Sequence, residues 1–92
     1  MIVGTLLVRL LIREARTLKD KRQVVKSILD RVRNNYNVSA AEVDAQDDRQ
    51  LVVLGFAAVG NEAGYVRSSL EGIVNHLRSH PVAEFLDYEL EV

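Results

Sequence analysis

The stretch VSAAEVDAQDDRQLVVLGFAAVG, Val38–Gly60, divides into two halves about a polar centre. Val38–Ala45 has the composition of a strand and QDDRQ that of a hairpin turn. LVVLGFAAVG, Leu51–Gly60, is apolar at nearly every position, as expected of a central strand buried on both faces. A strand pair in mid-chain must be reached and left by other elements, and the flanking sequence supplies them.

Upstream, Leu18, Val25, Ile28, Leu29, Val32 and Tyr36 recur at helical spacing and form one apolar stripe. Thr17 is a good N-cap with Asp20 three residues on, so a helix is expected from Leu18 to about Tyr36, stopped by Asn34, Asn35 and Asn37. Before it, Ile2, Gly4, Leu6, Val8, Leu10 and Ile12 form an apolar row with strand parity, against a mixed row of Val3, Thr5, Leu7, Arg9, Leu11 and Arg13. Downstream, Asn61 is the expected cap of a second helix, Glu62 to about Ser79. Its inward stripe is Val66, Leu70, Ile73, Val74 and Leu77, and Pro81 prevents continuation. The tail AEFLDYELEV alternates again, with Leu86, Tyr88, Leu90 and Val92 on one side and Asp87, Glu89 and Glu91 on the other.

The order strand, helix, strand, strand, helix, strand with right-handed crossovers implies an α+β, ferredoxin-like βαββαβ two-layer sandwich. Its antiparallel four-stranded sheet has the first and third strands central and both helices on one face, in a single domain over residues 1–92. The last strand then lies beside the first, with Asp87, Glu89 or Glu91 opposite Arg9 and Arg13. The rest of the helix-free face has no cover, so a two-fold homodimer packed sheet to sheet through Thr5, Leu7, Arg9 and Leu11 is expected.

The chain has 92 residues and no cysteine, which excludes disulfides, thiolate metal sites and cysteine nucleophiles and fits a cytoplasmic setting. The apolar opening MIVGTLLVRLLI lacks a basic leader region and a small-residue cleavage site, and Arg9 interrupts it. It is too short to span a membrane, and a soluble intracellular protein is expected. The net charge of −1 hides a segregation: residues 1–36 hold nine Lys or Arg against three acids, and residues 37–92 hold three against ten.

Much of that positive charge falls in RTLKDKRQVVKS, Arg16–Ser27, at the helix start, where the macrodipole disfavours cations. On a helical wheel Lys19, Arg22, Lys26 and Arg33 share one edge beside the apolar stripe, with Arg16 and Lys21 extending the charge around the first turn. Cations that repel the dipole become useful when an anion sits between them. These six residues with the free amides of the helix start are therefore candidate contacts for nucleic acid phosphates, bound without sequence preference. The competing reading is a solvated face whose cations pair with Asp20 and Asp30.

TLKDKRQVVKS, NVSAAEVDAQD and VLGFAAVGN closely resemble segments of the YlxP-like family of small bacterial proteins, a domain of unknown function, and the resemblance runs over essentially the whole chain. It implies a ferredoxin-like fold. It also implies, through the company of the family's genes among transcription and translation factors, a connection to RNA or the ribosome. It supplies no catalytic residues.

Other candidates are weaker. His76 and His80 stand one helical turn apart, a spacing open to two metal ligands, but a third ligand is lacking. Glu42 and Asp44 share a strand face by parity and lie near Asp47 and Asp48, in what reads as a polar turn with no nucleophile or phosphate loop beside it. Phe56 and Tyr88 have inward parity and are expected in the core, and no aromatic pair suits base stacking. The sequence thus points to a non-enzymatic protein without cofactor. Two alternatives stay open: a dimeric small-ligand module, ACT-like by analogy of fold, and an adaptor for an acidic protein.

Overall fold

In a computed structural model describing residues 1–92, the elements are β1 (Ile2–Leu11), α1 (Leu18–Asn35), β2 (Ser39–Asp44), β3 (Leu51–Gly60), α2 (Ala63–Arg78) and β4 (Glu84–Glu91). The strands form one sheet in the order β2-β3-β1-β4, with every neighbouring pair antiparallel. This is the ferredoxin-like α+β arrangement expected from the sequence. β1 and β3 pair along their whole length, from Ile2 opposite Gly60 to Leu11 opposite Leu51.

The core lies between the sheet and the two helices. Leu6, Val8 and Leu10 of β1 and Val52, Leu54 and Phe56 of β3 meet Val25, Ile28 and Val32 of α1 and Val66, Leu70, Ile73 and Leu77 of α2. Gly4 lets α2 come close to β1, since a Cβ there would stand 2.6 Å from Val66 Cγ1 and 2.9 Å from Leu70 Cδ1. No helix is long and apolar enough to cross a membrane.

Several expectations are corrected. β3 is enclosed along one face only: Val52, Leu54, Phe56 and Ala58 are buried, whereas the other row grades from buried Val53 through half-buried Leu51 and Gly55 to exposed Ala57 and Val59. A continuous apolar run therefore does not mark two covered faces here. α2 starts one residue later than expected, with Glu62 instead of Asn61 at the cap and no side-chain cap bond.

In β4 a bulge shifts the register, so Asp87 lies opposite Arg9 but Phe85 lies opposite Leu10. The extra residue turns Phe85 inward and leaves Leu86 exposed. Tyr88 keeps its inward parity but sits on an edge strand, where only Arg78 at the end of α2 comes over its ring, and is 41% exposed, so it is no core residue. Phe85 and Tyr88 pack edge to face, and the Arg78 guanidinium lies 4.7 Å from the Phe85 ring centre.

Candidate functional site

The end of β1, the β2–β3 hairpin and the start of α1 come together at one end of the sheet, because Leu11 pairs with Leu51. Bonds between the connections fasten them: the Ile12 amide donates to Gln50 O at 2.9 Å, Gln50 Nε2 to Arg13 O at 2.8 Å and Arg49 Nη1 to Arg16 O at 3.1 Å. Arg13, Glu14, Arg16, Arg49 and Gln50 thereby border a hollow of about 660 Å³. Arg49 was not foreseen, since its turn reads as merely polar. The topology was the available signal, because in this fold the first connection and the hairpin emerge together.

Thr17 caps α1 through Oγ1, which accepts from the Asp20 amide at 3.1 Å, and Asp20 Oδ2 accepts from the Arg16 amide at 3.2 Å. The helix start is therefore closed over part of its own backbone. An anion there would meet side-chain cations more than free amides, contrary to the expectation of an open amide site.

The six candidate cations divide into three groups. Arg16, Lys19 and Arg22 are exposed, and no carboxylate lies within 4.0 Å of their side-chain nitrogens. Lys26 and Arg33 are also exposed but share Asp30, at 2.8 and 3.7 Å. Lys26 holds the Asp30 carboxyl below its ordinary pKa, first by hydrogen bonding, with added attraction from Arg33. Arg33 also donates to Ala40 O at the free edge of β2.

Lys21 is the correction. It is fully buried, its Nζ donating to Ala45 O at 2.6 Å and Asp48 O at 2.7 Å and standing 3.0 Å from Glu42 Oε2. It cannot touch a phosphate. Instead it ties the first turn of α1 to the hairpin and holds the carbonyl of Ala45, a non-glycine residue with φ 54°. Its position three residues after Leu18 and four before Val25 places it in the apolar stripe, which was the signal in the sequence.

The acids do not assemble either. A bulge between Glu42 and Asp44 puts Glu42 opposite the core residue Leu54 and Asp44 opposite Val53 on the helix-free face, so the parity that placed them together fails. Asp48 Oδ1 accepts from the Gln50 and Leu51 amides, both at 2.8 Å, and these bonds hold its carboxyl below the ordinary pKa. The row of acids on β4 answers β1, with Arg9 3.0 Å from Asp87 and 3.8 Å from Glu89, while Arg13 takes Glu84 at 2.8 Å. Arg9 is thereby committed to its own chain, which qualifies its place in an interface.

No group of three or more His, Cys, Asp or Glu is arranged to hold a metal ion. His80 Nδ1 accepts from the Val82 and Ala83 amides at 3.2 and 3.1 Å. Partial burial, reinforced by Arg31 and His76, lowers its pKa below the usual 6.5.

A family model described as "Protein of unknown function (DUF503)" matches residues 3–90. The chain belongs to this family. The DUF503 chain is also 38% identical over 74 residues to "Uncharacterized protein YlxP" of Bacillus subtilis (strain 168), which covers 80% of each protein. The YlxP-like resemblance of TLKDKRQVVKS and NVSAAEVDAQD thus rests on the family as a whole. The site of this DUF503 protein has to be argued from its own charges.

Proposed function

We propose that this DUF503 protein is a non-enzymatic RNA-binding protein that contacts phosphates, ribosomal RNA being the candidate, through the basic end of α1. The observation that carries the reading is the trio of Arg16, just before the α1 cap, and Lys19 and Arg22 in its first two turns, with exposed side chains that have no carboxylate partner and with Arg49 adjoining Arg16. Unpaired cations beside a helix N-terminus repel the dipole, and phosphates relieve that repulsion. Lys26 and Arg33 are secondary, since binding must first compete with Asp30. The aromatic pair of the fold, Phe85 and Tyr88, stands on the β4 edge strand with Arg78 over its rings and not on α1, which favours backbone contact over base reading at the cations.

The test is a titration of labelled ribosomal RNA at about 50 and 200 mM salt. Three to four phosphate contacts weaken affinity roughly 40- to 150-fold across that range. The variant Arg16→Glu/Lys19→Glu/Arg22→Glu, folded by circular dichroism, should lose that binding. Equal affinity in the variant, or no binding at 50 mM, would refute the reading.

A second reading, a small-ligand module, draws on a hollow of about 500 Å³ on the helix-free face, between Leu7, Ala41, Gly55, Ala57 and Glu89. A rise in melting temperature with a small metabolite and no affinity for RNA would favour it.

A further inference from the structure

The helix-free face of the sheet is apolar at its centre, bordered by the Arg9–Asp87 and Arg9–Glu89 pairs, and unoccupied within the chain. Val3 is 49%, Val59 61% and Val43 48% exposed, and Leu7, Leu11 and Leu51 are half-buried around them. Independently of the RNA reading, we propose that a second copy of this chain covers that face, in a two-fold dimer whose axis runs parallel to the strands between β1 and β3.

Three observations select this occupant and this axis. The first is size. β1 and β3 are ten residues long, about 33 Å, and four strands at about 4.8 Å spacing make a face of roughly 500–600 Å² per copy. Two such faces bury about 1,000–1,200 Å² before side-chain relief is counted, which reaches the lower bound of specific interfaces.

The second is the pairing of the rows. Ser39, Ala57, Thr5 and Glu91 lie side by side across the sheet, as do Ala41, Gly55, Leu7 and Glu89 in the next row of this face. A two-fold axis along the strands keeps each row at its own height and exchanges β1 with β3. Thr5 then faces the partner's Ala57, and Leu7 faces the partner's Gly55. Val3 faces the partner's Val59 and Leu11 the partner's Leu51. The largest side chain of the central rows, Leu7, thus meets Gly55 beside Val43, whose Cγ1 takes the place of a side chain there, and valine and leucine ridges meet at the ends. Sheets packed face to face about 10 Å apart hold this alignment best at the centre, where the 30° twist displaces the rows least.

The third is charge. An in-plane axis perpendicular to the strands would lay the β4 row of Asp87, Glu89 and Glu91 on its own copy. The proposed axis instead lays Glu91 and Glu89 over the partner's Ser39 and Ala41, on the β2 edge, and confines like-charge contact to one row, where Asp87, bound to Arg9, comes over the partner's Asp44. The same axis brings both α1 helices to begin at the same end of the dimer, on its two outer sides.

Sedimentation of the purified chain at about 10–100 µM should give twice the 10.3 kDa chain mass, and Ala57→Arg should give the monomer while keeping the wild-type circular dichroism. The chain has no cysteine, so Ser39→Cys/Glu91→Cys provides a second measurement. A bis-maleimide with a spacer of about 10 Å, the separation of packed sheets, should cross-link this double variant into dimers, and neither single variant should be cross-linked. A monomeric wild type at 100 µM, a dimer that persists in folded Ala57→Arg, or a double variant that forms no cross-link would each overturn the proposal.

Discussion

Replacing Lys21 by alanine should be among the most damaging single changes to this chain. The ammonium is enclosed, and its three oxygen neighbours, Ala45 O, Asp48 O and Glu42 Oε2, all belong to the β2–β3 hairpin and its approach. Glu42 Oε2 is itself buried with no hydrogen-bond donor of good geometry, so the nearby positive charge is what compensates it. Truncation leaves that carboxylate and two carbonyls without a cation and opens a cavity the length of a lysine stem. Breaking a buried ion pair by removing one partner costs about 3–5 kcal/mol. In a domain of this size that is a large share of the roughly 5–15 kcal/mol available. Urea unfolding at pH 7 and 25 °C is the assay. With a slope near 1.5 kcal/mol/M, the midpoint should fall by about 2–3 M. Glu42→Gln, which opens no cavity and keeps an oxygen near Nζ but leaves the enclosed ammonium without its carboxylate, should also lower the midpoint, by less than Lys21→Ala. A Lys21→Ala midpoint within about 0.5 M of wild type would refute the reasoning and return Lys21 to the surface.

Two further outcomes concern packing and pH. Gly4→Ala should destabilise by about 1–3 kcal/mol, because the new methyl enters the space of Val66 and Leu70, both enclosed in the core; an unchanged melting temperature would show that α2 yields freely. His80 accepts two amide bonds through Nδ1 only while neutral, and its folded pKa lies below the unfolded 6.5. The unfolded chain therefore binds the proton more readily. Stability from this group is complete above about pH 6.5 and is lost as pH falls through the depressed folded value. The urea midpoint should drop between pH 7.5 and 5.5, less so in His80→Asn, and equal drops in both proteins would assign the effect elsewhere.

The fold was legible because each element announces its period. The rows of β1, the stripes of α1 and α2 and the polar turn 46–50 leave one ordinary topology. What escaped were features that break a period without changing composition. A bulge adds a residue that parity counting cannot see, so Leu86 was assigned inward in place of Phe85, and Glu42 was assigned to the same face as Asp44. Burial of Lys21 escaped for a different reason. Its charge suggested solvent, although its helical position lies between Leu18 and Val25 and its inward-facing acid, Glu42, occupies the matching row of β2. Charge is a weaker guide than position when an opposite charge can reach the same site. Arg49 escaped because its place beside Arg16 arises only when the two connections meet at one end of the sheet.

The cations in Arg16–Ser27 therefore have separate roles. Lys21 is neutralised inside the protein, Lys26 is held by Asp30, and Arg16, Lys19 and Arg22 remain for an external anion. Lys21 still bears on that surface, because it secures the hairpin that carries Arg49 to within 3.1 Å of Arg16 O. A loss of RNA affinity in Lys21→Met would then come from a displaced Arg49 and not from a lost phosphate contact. A double-mutant cycle separates the two under conditions where every variant is folded. If Lys21 acts through Arg49, the variant Lys21→Met/Arg49→Ala binds no more weakly than the weaker single variant, and its salt slope falls by about one contact. If Lys21 met phosphate directly, the two losses would multiply and the slope would fall by about two. Multiplied losses would place Lys21 in solution on the RNA side of the helix, in contradiction to its enclosure between α1 and the hairpin.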